Sequence, residues 1–188
     1  MIAHNELKRG VQFTFQGDAY EVQDSSFTYK GRGSSTVQAK MKNLKTGAVI
    51  THTFHAGDAI EEAELGNFKA KFIYSNKDTY VFSRADNASE RFELSRAQIG
   101  EQARFLKDNE TVDAITFEHK IINIVLPIKV QLKVTEAPPG VRGDRAQGGT
   151  KVVILETGTT VDVPLFVEAN DIVEVNTESG EYTRRVQE

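Results

Sequence analysis

The chain has 188 residues, 39% apolar and 27% charged, with a net charge of −4. That is enough apolar side chain for buried cores and enough charge for solubility, which excludes an intrinsically disordered class. Cysteine is absent, so a disulfide framework and a thiolate metal site are excluded as well, and a reducing cytoplasm is the expected compartment. The opening MIAHNELKRG has no apolar signal core, and no run approaches membrane-spanning length, so no membrane partner is expected. Charge is unevenly placed. Residues 1–57 carry seven Lys/Arg against four Asp/Glu, and residues 128–188 carry seven against ten. Only part of the surface is therefore suited to phosphate.

Val11, Phe13 and Phe15 alternate, Gly17-Asp18 reads as a turn, and Tyr20 and Val22 continue a hairpin. A second hairpin follows with the tip Lys30-Gly31-Arg32-Gly33, where glycine permits a tight turn and close approach of a partner. Beyond the tip, Val37, Ala39 and Met41 fall on one strand face and Gln38, Lys40 and Lys42 on the other. Lys45-Thr46-Gly47 turns the chain into Val49–Phe54. Five short strands in about sixty residues predict a small SH3-like barrel over 1–64. Its closing run Glu61, Glu62, Glu64 reads as a solvated turn.

A second barrel, 65–127, begins after Gly66-Asn67 with the alternating Phe68, Ala70 and Phe72. Strands follow at Tyr80–Phe82, Phe92–Leu94, Ala114–Glu118 and Lys120–Leu126. One helix is predicted from Ser95 to about Leu106, with Ser95 and Gln98 as a capping box and Ile99, Ala103 and Leu106 on one face. Strands around one short helix suit an OB-type barrel. The third unit, 128–188, has the alternating Val130, Leu132 and Val134, a long loop opened by Pro138-Pro139-Gly140, and strands at 151–155, 159–163, 172–175 and 182–186. Barrels this small bury only about 60% of their unfolded surface. Neighbours are expected to pack into an elongated rod with loops at both ends.

Catalytic constellations are absent by spacing, and neither an enzyme nor a cofactor is expected. Ser34 and Ser35 have no base nearby, and His52 and His55 lie three apart on a strand and so point to opposite faces, which is poor metal geometry. The GRG tip has neither the Lys-Ser/Thr pair nor the following helix of a phosphate-binding loop. Phe68, Phe72, Phe82 and Phe92 are patterned as core, against a base-stacking platform. The glycosylation-like Asn87-Ala88-Ser89 and Asn109-Glu110-Thr111 and the adhesion-like Arg142-Gly143-Asp144 read as coincidences.

Taken together, the GRG tip followed by Lys40-Met41-Lys42-Asn43-Leu44-Lys45-Thr46-Gly47, then Pro138-Pro139-Gly140-Val141-Arg142-Gly143-Asp144 with Gly148-Gly149-Thr150-Lys151, form an ordered series. Leu155-Glu156-Thr157-Gly158, Val163-Pro164-Leu165-Phe166-Val167 and Thr177-Glu178-Ser179-Gly180-Glu181-Tyr182 complete it. In this order and spacing the chain resembles the bacterial elongation factor P family over essentially its whole length.

That resemblance implies an all-β chain of an SH3-like, KOW-type domain and two OB-fold domains in an elongated, L-shaped, tRNA-like arrangement. It implies a monomer that binds both ribosomal subunits between the peptidyl and exit tRNA sites and relieves stalling on consecutive prolines. On this sequence Arg32 becomes the contact to the acceptor end of peptidyl-tRNA and the candidate modification site, which implies an arginine-modifying enzyme as a further partner. Lys30, Gly31, Gly33, Lys40 and Lys42 become the RNA-binding hairpin. Gly143, Asp144, Arg145, Gly148 and Gly149 become a loop facing mRNA at the exit-site codon, and Tyr182 and Arg185 contacts to tRNA or the small subunit.

The chain also departs from the family pattern. The tip lacks the Lys-Pro-Gly-Lys-Gly form, which argues against β-lysylation, and Arg145 stands where a small hydroxyl is usual. Val153 and Asn170 replace a usual alanine and glycine. The alternatives are a paralogue of the same family with other stalling targets, or a generic RNA-binding OB/KOW module.

Overall fold

The computed structural model describes residues 1–30, 34–139 and 149–186, with Lys30 and Ser34 described by their backbone only. Its strands are β1 (Gln12–Phe15), β2 (Asp18–Lys30), β3 (Ser34–Asn43), β4 (Val49–His55), β5 (Glu61–Glu62), β6 (Leu65–Asn76), β7 (Thr79–Arg84) and β8 (Arg91–Ser95). After the short helix α1 (Arg96–Ile99) and a 3-10 turn at Gly100–Phe105 come β9 (Thr111–Phe117) and β10 (Lys120–Val125). The last five are β11 (Lys129–Glu136), β12 (Thr150–Leu155), β13 (Thr160–Pro164), β14 (Ile172–Asn176) and β15 (Tyr182–Val186). They form three five-stranded sheets, ordered β4-β3-β2-β1-β5, β10-β9-β6-β7-β8 and β13-β12-β11-β14-β15.

By packing, the chain forms two compact units. One comprises Met1–Phe68, Ala97–Gly100 and Ala114–Ile124, the other Lys69–Arg96, Glu101–Asp113 and Val125–Glu188.

In the first unit Phe13, Tyr20, Val22, Val37, Ala39, Met41, Phe54 and Ile60 make one core. The alternation Val37, Ala39, Met41 is buried as its period requires, while Gln38, Lys40 and Lys42 face solvent. Phe13 meets Phe54 edge-on at 5.6 Å. A second cluster joins Ala19, Ala63 and Ile122, with Leu44, Leu65, Ile115 and Phe117 packed on it.

Two local expectations are corrected in this unit. The first turn lies at Gln16-Gly17, not Gly17-Asp18, because Phe15 pairs with Asp18 and both turn residues have positive φ, 53° and 84°. That is the mirror-image turn whose twist matches flanking strands. The run Glu61-Glu62 is a strand rather than a turn: Glu62 pairs with Phe13 and Glu61 with Thr14, which closes the sheet on the far side of β1.

The predicted helix is also shorter than expected. α1 stops at Ile99 because Gly100 takes φ +79°, and the chain continues as a tighter 3-10 turn. Ile99, Ala103 and Leu106 are nonetheless all buried.

In the second unit Phe72 and Phe82 are core, 5.5 Å apart, and Phe92 stacks on Phe82 at 5.3 Å and 14°. These three rings are not free platforms. Val130, Leu132 and Val134 of β11 stand opposite Val175, Val173 and Leu155, and these, with Val153 and Val163, are fully or almost fully buried. Asn170 takes φ +75°, a conformation asparagine tolerates better than other side chains.

Candidate nucleic-acid interface

The β2–β3 hairpin runs for ten registered pairs from Tyr20↔Asn43 to Lys30↔Ser34, with a bulge between Val22 and Asp24. Its base is fixed by turn chemistry. The buried Asn43 accepts at Oδ1 from the backbone N–H of Lys45 and Thr46, both at 2.9 Å, and its Nδ2 donates to Asp18 at 3.1 Å. Gly47 completes the turn at φ +76°. Asn43 to Gly47 in the sequence motif thus serves backbone geometry, and Lys40 and Lys42 are left to serve the surface.

Lys40 stands opposite Asp24 on β2 and Thr51 on β4, and Lys42 opposite Glu21 and Val49. Both lysines are exposed, and neither forms an ion pair with a described residue. The Glu21 carboxylate is engaged instead by Gln12, whose Nε2 donates at 2.9 Å. Around the lysines the outward face carries Ser26 and Thr28 of β2, Thr36 and Gln38 of β3, and Thr51 and Thr53 of β4. The face thus offers hydroxyls, an amide and two ammonium groups to the phosphates and sugars of a nucleic acid, beside the carboxylates of Asp24 and Glu21.

The last four pairs, Phe27↔Val37 to Lys30↔Ser34, carry the hairpin about 10 Å further toward its tip. On this arm Phe27 and Tyr29 are exposed. His4 braces it: its ring stacks on Phe27 at 6.4 Å and 30°, and its Nε2 lies 2.7 Å from Ser35 Oγ. Neither aromatic is among the site residues expected from the sequence, although both stand in the stretch leading to the basic tip, where the alternation Phe27-Thr28-Tyr29 carries the signal.

Of the remaining site residues, Gly31, Arg32, Gly33, Gly143, Asp144, Arg145 and Gly148 lie outside the described residues. Lys30 ends β2, paired through its backbone with Ser34. Gly149 is exposed just before β12, where an added Cβ would press on Leu165 at 3.3 Å. Tyr182 opens β15, half-buried and opposite Val175. Arg185 is tied to its own unit, with Nη1 3.5 Å from Asp171 Oδ2 and the guanidinium 5.3 Å over the Phe166 ring. Tyr182 and Arg185 lie in the second unit, whereas the hairpin belongs to the first.

The neighbouring Glu174, opposite Arg184, is buried and doubly held. Arg184 donates through Nε at 3.2 Å and Nη2 at 3.0 Å to Oε2. Lys129 Nζ is 3.2 Å from Oε1, at an angle that falls short of a hydrogen bond. The Arg184 bonds, reinforced by Lys129, outweigh burial and hold the carboxyl below the ordinary range.

Three family models cover the chain: an elongation factor P KOW-like domain over residues 3–60, an elongation factor P OB domain over 67–124, and an elongation factor P C-terminal domain over 130–185. The three sheets are therefore a KOW-like domain and two OB-type domains. Among similar proteins, elongation factor P of Moorella thermoacetica is 38% identical over 98% of this chain and all of its own. That of Thermotoga petrophila is 40% identical over the same shares. A solved eukaryotic-type translation initiation factor 5A from Methanococcus jannaschii shares the fold over 66% of this chain and 92% of its own, with a TM-score of 0.52 at 16% identity. With three family models along its length and relatives of this identity end to end, the chain belongs to the elongation factor P family of translation factors.

Proposed function

We propose that this protein is a cytoplasmic, monomeric factor that binds the ribosome between the peptidyl and exit tRNA sites and speeds peptide-bond formation by steadying peptidyl-tRNA, chiefly on consecutive prolines. The observation that carries this reading is the long β2–β3 hairpin, with Lys40 and Lys42 free of described ion pairs on one polar face. Membership of the family supplies the ribosome as the partner.

Proline is a rigid, poor nucleophile, so stalled substrates spend little time in reactive geometry. Well-oriented reactants can gain up to about 7–11 kcal/mol over free ones. The ribosome already holds both substrates, and only about 1.4–4 kcal/mol is needed for a tenfold to thousandfold gain. A side chain that steadies one substrate supplies that without acting as acid, base or nucleophile.

Arg32 is assigned the contact to the acceptor end, since a guanidinium offers a planar fork of donors to phosphate, and it is the candidate modification site. Lys30, Gly31, Gly33, Lys40 and Lys42 complete the hairpin site. Gly143, Asp144, Arg145, Gly148 and Gly149 are assigned to the exit-site codon, and Tyr182 and Arg185 to tRNA or the small subunit. The division 1–64, 65–127 and 128–188 is the working domain scheme.

The test is synthesis of a proline-run peptide in a reconstituted translation system with wild type and Arg32→Ala, using protein from the native host whose tip peptide has been weighed by mass spectrometry. Arg32→Ala is expected to fold normally and lose at least tenfold of the stimulation, about 1.4 kcal/mol. Full stimulation by that variant would refute the tip mechanism.

A further inference from the structure

One face of the β2–β3 hairpin holds two large rings in water. Phe27 is 57% and Tyr29 67% exposed. Phe27 stands opposite Val37 and Tyr29 opposite Ser35, so both share the face that lower down buries Val37, Ala39 and Met41. The core ends beneath them. The opposite face of the same arm carries Ser26, Thr28, Thr36 and Gln38, ordinary choices for a solvated strand.

Two side chains separated by two residues on a strand are about 6.8 Å apart. A planar ring slipped between them, with carbon contacts of about 3.5–4.0 Å on each side, needs about 7–8 Å. The His4 ring already stacks on Phe27 and is itself bonded to Ser35, the residue opposite Tyr29. Among the described residues the Tyr29 ring has neither a ring contact nor a hydrogen bond, and the residue is 67% exposed. Charge decides what would enter. Residues 24–43 include Lys30, Arg32, Lys40 and Lys42 against the single carboxylate of Asp24. Such an arm repels a second copy of itself and attracts a polyanion.

We propose that Phe27 and Tyr29 form a stacking site for an unpaired RNA base, beside the phosphate contacts of the hairpin. The site deepens the translation-factor reading, on which the identity of the RNA rests. Stacking is sequence-tolerant, because every base has a π-face, and it adds affinity without counterion release.

The sequence contains no tryptophan, so Tyr29→Trp gives the full chain a single reporter. Its fluorescence is followed while a single-stranded RNA oligonucleotide, or a base-free ribose-phosphate oligomer of equal length, is added. Quenching by RNA alone is expected. Tyr29→Ala, an exposed position, should weaken RNA binding by about five- to hundredfold with the salt slope unchanged.

Equal quenching by the base-free oligomer, or wild-type RNA affinity in Tyr29→Ala, would overturn the proposal. Self-association abolished by Tyr29→Ala with RNA binding intact would also overturn it, assigning the face to a second copy. A chain whose reporter stacks RNA but which does not bind ribosomes would remove the ribosomal reading and leave this site standing. Ribosome binding together with wild-type RNA affinity in Tyr29→Ala would do the reverse.

Discussion

The side-chain amide of Asn123 donates to the Leu44 carbonyl at 3.1 Å and to the Gln98 carbonyl at 2.8 Å, tying together three segments of the first unit. Its own oxygen accepts from the Ile124 N–H at 2.8 Å. One buried side chain thus satisfies three backbone groups from Leu44, Gln98 and Ile124.

Replacing it should therefore cost more than one ordinary hydrogen bond. Asn123→Leu removes three hydrogen bonds at once, and a loss of about 1–3 kcal/mol is expected in urea unfolding. Asn123→Asp should cost at least as much, because a carboxylate would face two carbonyl oxygens. A wild-type midpoint in Asn123→Leu would show that the tie contributes nothing.

Glu174 predicts an acid limb in stability. Arg184 first and Lys129 second hold its folded pKa below the ordinary 4.5. A carboxyl depressed on folding adds stability that is complete above its unfolded pKa and is lost as pH falls through the folded value. The urea midpoint of the wild type should therefore fall more steeply than that of Glu174→Gln between about pH 5 and about pH 2. Parallel curves would mean that the Arg184 and Lys129 contacts do not hold in solution.

Lys40 and Lys42 predict a salt effect. If each meets one phosphate, Lys42→Ala should weaken ribosome binding and flatten its log–log salt dependence by about 0.7–0.9. The double variant with Lys40→Ala should lose about twice that. Equilibrium binding across a salt series reads both, and an unchanged slope would return the lysines to ordinary solvent duty.

The alternations are legible in the sequence itself. Val37, Ala39 and Met41, and Val130, Leu132 and Val134, announce strands with one buried face, because the period of two is set by the backbone. The ordered tripeptide and turn motifs announce the family. The helix boundary is not legible, since Ile99, Ala103 and Leu106 keep the right faces while the left-handed Gly100 breaks the backbone between them. Nor is β5, because Glu61 and Glu62 become a strand only by pairing with Thr14 and Phe13, more than forty residues earlier.

By itself, the sequence determined which residues of a strand share one face and where the cations cluster, because both follow from local spacing and residue chemistry. Only the tertiary structure decided where the core stops along β2. Val22 and Phe27 look alike as apolar strand residues, yet Val22 is fully buried and Phe27 lies largely in water. The difference is set by whether another segment covers that level of the sheet, as Phe54 of β4 covers Phe13. Coverage is a property of long-range pairing, which no local pattern encodes.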